Sequence, residues 1–175
     1  MRLATLILVC LCAHAECVQA AEIKLESAGA RYGLSAHRSS NRFGQLEGYI
    51  DLKLPWHRNF RTNWSVYPRL DLSAGSLYGR GESGFVGSVG PSLALERKGL
   101  PLVFSLGLSP TVLGQDTYRD KHFGTPLQFT SHAGLDWRLG AHVNLGFRFQ
   151  HMSNASLSSH NPGLNLHMFS IGYRY

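Results

Sequence analysis

Cysteine is nearly absent: the three present, Cys10, Cys12 and Cys17, all lie near the N-terminus, so residues 21–175 have no disulfide framework available. Charge is sparse too. Asp, Glu, Lys and Arg make up only 16% of the 175 residues, and the 17 Lys and Arg are spread along the chain without a basic cluster. That scatter argues against a nucleic-acid partner despite a formal net charge of +6. No long apolar run follows residue 13, which excludes a bundle of transmembrane helices. What is abundant points elsewhere: 19 glycines and 11% aromatics favour short strands and turns, in a chain of a length for one domain.

Arg2, the apolar run Leu3–Ala13 and the small residues of Val18-Gln19-Ala20 mark residues 1–20 as a secretory signal peptide cleaved after Ala20, with 21–175 as a single domain. Lipoprotein attachment at Cys17 competes with this reading, but the acidic Glu16 before it is a poor lead-in.

Residues 21–175 alternate. Leu46, Gly48, Ile50, Leu52, Leu54 and Trp56 are interleaved with Gln45, Glu47, Tyr49, Asp51, Lys53 and Pro55, the pattern of a strand with one apolar and one polar face. The same period recurs from Trp64 to Gly75, Phe85 to Glu96, Leu102 to Ser109, Gln128 to Arg138, Val143 to Gln150 and Met168 to Tyr175, and more weakly from Ala28 to His37. Eight strands are expected. No charged residue falls on the apolar face; Glu47, Asp51, Arg69, Asp71, Asp136, Arg138 and Arg148 are among those on the other.

Periodicity alone fits either a lipocalin-like soluble barrel, apolar inside, or an outer-membrane barrel, apolar outside. Stripes about ten residues long match a tilted bilayer-crossing strand. Trp56, Trp64, Trp137, Tyr173 and Tyr175 at stripe ends match an interfacial girdle. The final alternation ending at Tyr175 resembles the C-terminal signal of bacterial outer-membrane barrels. The expected fold is therefore an all-β, eight-stranded antiparallel transmembrane barrel of the outer membrane. Short turns are expected at Pro55–Arg61, Arg97–Leu100 and Leu139–Ala141, and longer outer loops at Arg38–Gly44, Tyr78–Gly84, Val112–Pro126 and Asn154–Gly163. Eight strands leave an interior filled by side chains, which disfavours a porin, and charges buried there must pair.

Past Phe149 the seventh strand keeps its phase, so His151 and Ser153 fall on the lipid-facing stripe at its outer end. Two residues apart on one face, they are arranged as a general base and a serine nucleophile would be; they equally suit a polar headgroup boundary. His37, His57, His122, His132, His142 and His160 show no metal-ligand spacing, so no metal is expected.

Phe149-Gln150-His151-Met152-Ser153-Asn154-Ala155, followed by Asn161-Pro162-Gly163 and preceded by Gly124 to Phe129, resembles the His-x-Ser-Asn segment and downstream Asn-x-Gly of the lipid A 3-O-deacylases, the PagL family. The resemblance implies an outer-membrane serine esterase that removes the 3-hydroxyacyl chain from position 3 of lipid A. Ser153 would be its nucleophile, His151 its base and Asn154 part of the oxyanion hole. It implies no cofactor, lipid A or lipopolysaccharide as substrate, the outer membrane as location, and leaves a homodimer open. One position departs from the family: the acidic residue twelve places after the serine is Asn165, which can orient the imidazole but cannot offset its charge. His167 shares that stripe and is a second possible contact for His151. A non-catalytic structural or adhesive barrel, using the charged Val112–Pro126 loop, and a lipid A acyltransferase are the competing readings.

Overall fold

The computed structural model describes residues 22–36, 43–60 and 63–175; the signal-peptide segment, its three cysteines, His37 and most of the first outer loop lie outside them. Alternation produces eight long strands: β1 (Lys24–Ser35), β2 (Phe43–Lys53), β3 (Trp64–Gly79), β4 (Glu82–Arg97), β5 (Leu102–Leu113), β6 (Leu127–Leu139), β7 (Val143–Ser153) and β8 (Leu164–Arg174). Each pairs antiparallel with its sequence neighbours, and β1 pairs with β8 from Ser27↔Arg174 to Ser35↔Leu166, closing the barrel. Closure leaves no free edge to template aggregation.

Which face points outward is now fixed. Leu46, Phe85, Leu93, Leu106, Phe169 and Ile171 are half or more exposed, whereas Arg31, Glu47, Asp51, Arg69 and Asp71 are buried. A soluble barrel has the opposite arrangement, so the apolar wall is one made for lipid. Trp56, Trp137, Tyr173 and Tyr175 are exposed and Trp64 half-buried, and all five sit at the end of the barrel that carries the turns rather than at the loop end.

Two interior layers lie between a small apolar cluster of Tyr67, Ala94 and Val103 at the turn end and the loops. Arg31 bridges Glu47 and Asp51 (both 3.2 Å), Arg148 reaches Glu47 (3.0 Å), Arg138 holds Glu96 (2.6 Å) and Glu26 (3.2 Å), and Arg69 lies among Asp71, Glu26 and Asp136. Above this ionic layer, toward the loops, Phe43, Leu77, Val86, Leu113, Met152, Leu164, Leu166 and Met168 pack with Tyr118 and Phe123 into an apolar plug. The paired charges match expectation; the plug was not expected, because Leu113 falls in the span read as the Val112–Pro126 loop and Leu77 and Val86 are apolar residues on the inward face beside the span read as the Tyr78–Gly84 loop.

The connections depart most from expectation at one place. Tyr78–Gly84 is not a loop: β3 and β4 run sixteen residues each and meet in a two-residue turn, Arg80-Gly81, with φ of 57° and 83°. Such left-handed pairs are the tight hairpin turn whose twist suits flanking strands, and glycine supplies the second position without strain. The long 114–126 loop contains its own small hairpin, Thr117–Tyr118 with Lys121–His122. It is tied to the β3–β4 tip by an Arg80–Asp120 ion pair and by the Arg119 N–H donating to Glu82 Oε2 (3.0 Å).

Candidate functional site

The site lies on the outer wall, at the loop end of β7 and β8. Register dictates it: β7 and β8 pair as Phe147↔Phe169, Phe149↔His167 and His151↔Asn165, so Phe147, Phe149, His151 and Ser153 line one outward row and Asn165, His167 and Phe169 the next. His151 is exposed and Ser153 half-buried, with Phe149 and Phe147 below them exposed at 41% and 42%.

Directly opposite one another, His151 and Asn165 are joined by a 2.7 Å hydrogen bond between Nδ1 and Oδ1. An amide oxygen only accepts, so Nδ1 carries the proton and Nε2 is left with its lone pair, the state a general base requires. On the other edge of the ring lies Gly163, whose φ of 61° is left-handed; a Cβ there would stand 3.2 Å from His151 Cε1 and 3.9 Å from Nε2. The glycine thus serves both the turn and the close approach. Among the described residues His151 and Ser153 make no hydrogen bond to each other; they share a face with their Cα atoms about 7 Å apart, two strand steps.

Asn154 follows β7 and is fully buried. Its Nδ2 donates to the carbonyls of Phe123 (3.0 Å) and His160 (2.9 Å), its Oδ1 accepts from Ser156 N (3.0 Å), and its own N–H donates to Asn161 Oδ1 (3.1 Å). Both amide hydrogens are engaged with loop carbonyls, so this side chain, expected at the oxyanion hole, stands here as the knot between the 114–126 and 154–163 loops. Ala155 and Ser156, with φ of 49° and 67°, turn the chain beside it. Gly124 is the other half of the crossing: a Cβ there would meet His160 O at 2.3 Å and Asn154 Nδ2 at 2.9 Å.

Lys121 had no signal in the sequence beyond a charged loop. Its Nζ donates to Gly163 O (2.9 Å) and lies over the rings of Phe123 and Phe43, 5.3 and 5.9 Å from their centroids. Burial, and secondly the Arg80 guanidinium, push its ammonium below the ordinary lysine range. Through Gly163 it fixes the turn backing the imidazole. Among the described residues His167 makes no hydrogen bond or ring pairing with His151; it packs against Phe147 and Phe149, with ring centroids 5.8 and 5.6 Å away.

Comparison with known proteins adds three findings. Residues 44–174 match the family model described as Lipid A 3-O-deacylase (PagL). A protein of Bordetella bronchiseptica named Lipid A deacylase PagL is 28% identical over 131 residues, covering 69% of this chain and 70% of its own. Among solved structures, that of the outer membrane enzyme PagL superposes with a TM-score of 0.73 at 17% identity, covering 85% of this chain and 99% of the other. Neisserial surface protein A superposes at 0.50 and 11% identity, covering 85% and 95%. The two superpositions speak for the fold: a small outer-membrane barrel.

Proposed function

The chain belongs to the lipid A 3-O-deacylase family, and we propose that it hydrolyses the 3-hydroxyacyl ester at position 3 of lipid A, from the outer-membrane wall, through Ser153 and His151. Ser153 Oγ attacks the ester carbonyl as its proton passes to His151 Nε2. The imidazolium returns that proton to the sugar oxygen as the acyl C–O bond breaks, and water, activated by the same base, then cleaves the acyl-serine. Asn165 Oδ1 holds the imidazole in the productive tautomer without supplying a charge. Asn154 contributes by shaping the turn behind the nucleophile, so its share in the oxyanion hole would pass through the backbone of that turn.

The observation that carries this reading is the His151–Asn165 hydrogen bond on a lipid-facing row that also holds Ser153. A lipid ester buried below headgroups is reached from the wall, not from a lumen filled by ion pairs and an apolar plug. All three groups come from one chain, so the chemistry does not require a homodimer. The loop end would face the cell exterior and the turn end the periplasm, after removal of residues 1–20 as a signal peptide.

The test is the mass of lipid A after incubation with the purified protein in detergent. Loss of one hydroxyacyl chain is expected; gain of a chain would indicate an acyltransferase, and no change a non-catalytic barrel. Ser153→Ala and His151→Ala should each abolish the loss while folding normally, and the double variant should be no worse than either, because the two act as a unit.

A further inference from the structure

His167 is a polar ring in a greasy place. Its outward row continues from Asn165 to Phe169, and across the β7–β8 pair it faces Phe149. It lies nearly parallel to Phe147 (21°) and tilted against Phe149 (59°), with Phe169 closing the patch against Phe147 at 5.3 Å. Its Nδ1 is enclosed and, among the described residues, has no hydrogen-bond partner. A neutral imidazole has one donor and one acceptor nitrogen, and an enclosed N–H left unpaired is rarer in proteins than an unpaired acceptor. The proton therefore belongs on Nε2, the other nitrogen of a ring carried on an outward row. A donor facing hydrocarbon is costly unless something arriving there accepts from it.

Its depth says what arrives. From the loop end inward, the rows read Ser153, then His151 opposite Asn165, then Phe149 opposite His167. An ester held with its carbonyl at Ser153 and His151 must send its acyl chain down this seam, one pair further into the membrane. In a 3-hydroxyacyl chain the first polar group below the carbonyl is the hydroxyl two carbons along, and it can both accept and donate. We propose that His167 Nε2 hydrogen-bonds this hydroxyl and makes the enzyme selective for 3-hydroxyacyl over unsubstituted acyl esters. The inference rests on the deacylase reading above and deepens it: His167 is a specificity residue that touches the substrate, while Phe147, Phe149 and Phe169 bound the chain on either side.

The experiment compares two lipid A substrates in detergent, alike except that the chain esterified at position 3 is 3-hydroxylated in one and unsubstituted, of equal length, in the other. Wild type should prefer the hydroxylated ester in kcat/KM by roughly five- to tenfold, the contribution of one neutral hydrogen bond. In His167→Phe, which keeps the aromatic patch, the two rates should converge; in His167→Gln, which keeps an N–H donor, a preference should persist. Heat-modifiable migration checks that both variants have closed. Should His167→Phe fail to close, competition against wild type by free acids carries the test: the 3-hydroxy acid should inhibit several-fold better than the plain acid. Equal rates for wild type on both esters, equal inhibition by both acids, a preference undiminished in a closed His167→Phe, or a preference lost in His167→Gln as fully as in His167→Phe overturns the assignment. Cleavage of neither ester by wild type, leaving it indistinguishable from Ser153→Ala, overturns the deacylase reading itself.

Discussion

At Asn165 a neutral amide is bonded to the ring of His151, at the position where the family resemblance implies a carboxylate. The 2.7 Å bond to His151 Nδ1 fixes position and tautomer, but among the described residues no carboxylate is paired with His151 to offset the imidazolium that the proposed mechanism would form. Asn165→Ala should therefore slow lipid A deacylation by less than Ser153→Ala does. Asn165→Glu should maintain or raise the rate near neutral pH, read as kcat/KM alongside heat-modifiable migration, since a carboxylate on the lipid face risks a desolvation cost. A folded but inactive Asn165→Glu would argue against Asn165 as the orienting group. The row holding His151 and Ser153 was legible in the sequence, because a period of two permits no other arrangement once Phe147 and Phe149 face lipid, whereas Asn165 was singled out by the family resemblance and is set opposite His151 by strand register. The bonds of Asn154 and Lys121 were not legible: they run between loops that the β6–β7 pairing sets side by side, thirty-one residues apart for Asn154 and Phe123 and forty-two for Lys121 and Gly163.

The connections separate the barrel's two ends, and their sidedness can be measured. An accessible tag inserted between Ser158 and Ser159 should label on intact cells, while one placed after Lys98, in the β4–β5 turn, should label only after the outer membrane is permeabilised. The reverse pattern would invert the orientation. The strands themselves were readable wherever apolar and polar residues alternate cleanly. They were misread at the β3–β4 tip, where Gly79-Arg80-Gly81-Glu82-Ser83-Gly84 has the composition of a loop. Only the φ values of Arg80 and Gly81 reveal that two residues suffice to turn the chain there. Its consequence is local order, since the extended hairpin gives the 114–126 loop a rigid post to pair with through Arg80 and Glu82.

Taken as a whole, the barrel is lipophilic outside, ionic at mid-height inside and apolar beneath its loops. Arg31 is central to the ionic layer, and its loss would leave Asp51 with Ser27 as its remaining hydrogen-bond partner among the described residues, at 2.8 Å. Arg31→Met should destabilise the barrel by about 3–5 kcal/mol, the usual result of stranding a buried charge, seen as a lower urea midpoint for unfolding in detergent. Lys24→Met, which removes only an exposed pair with Glu22, should leave that midpoint in place. An unchanged midpoint for Arg31→Met would mean that the layer is more hydrated than its packing indicates. The closure between β1 and β8 reaches beyond stability. His151 and Ser153 lie on the seventh strand, but Asn165 and the Gly163 turn come with the eighth, which pairs with the seventh on one side and the first on the other. Before that strand docks, the histidine has neither its hydrogen-bond partner nor its backing glycine. On the proposed mechanism, then, the active surface needs the eighth strand that the closed cylinder also needs, and deacylation would serve as a count of finished barrels.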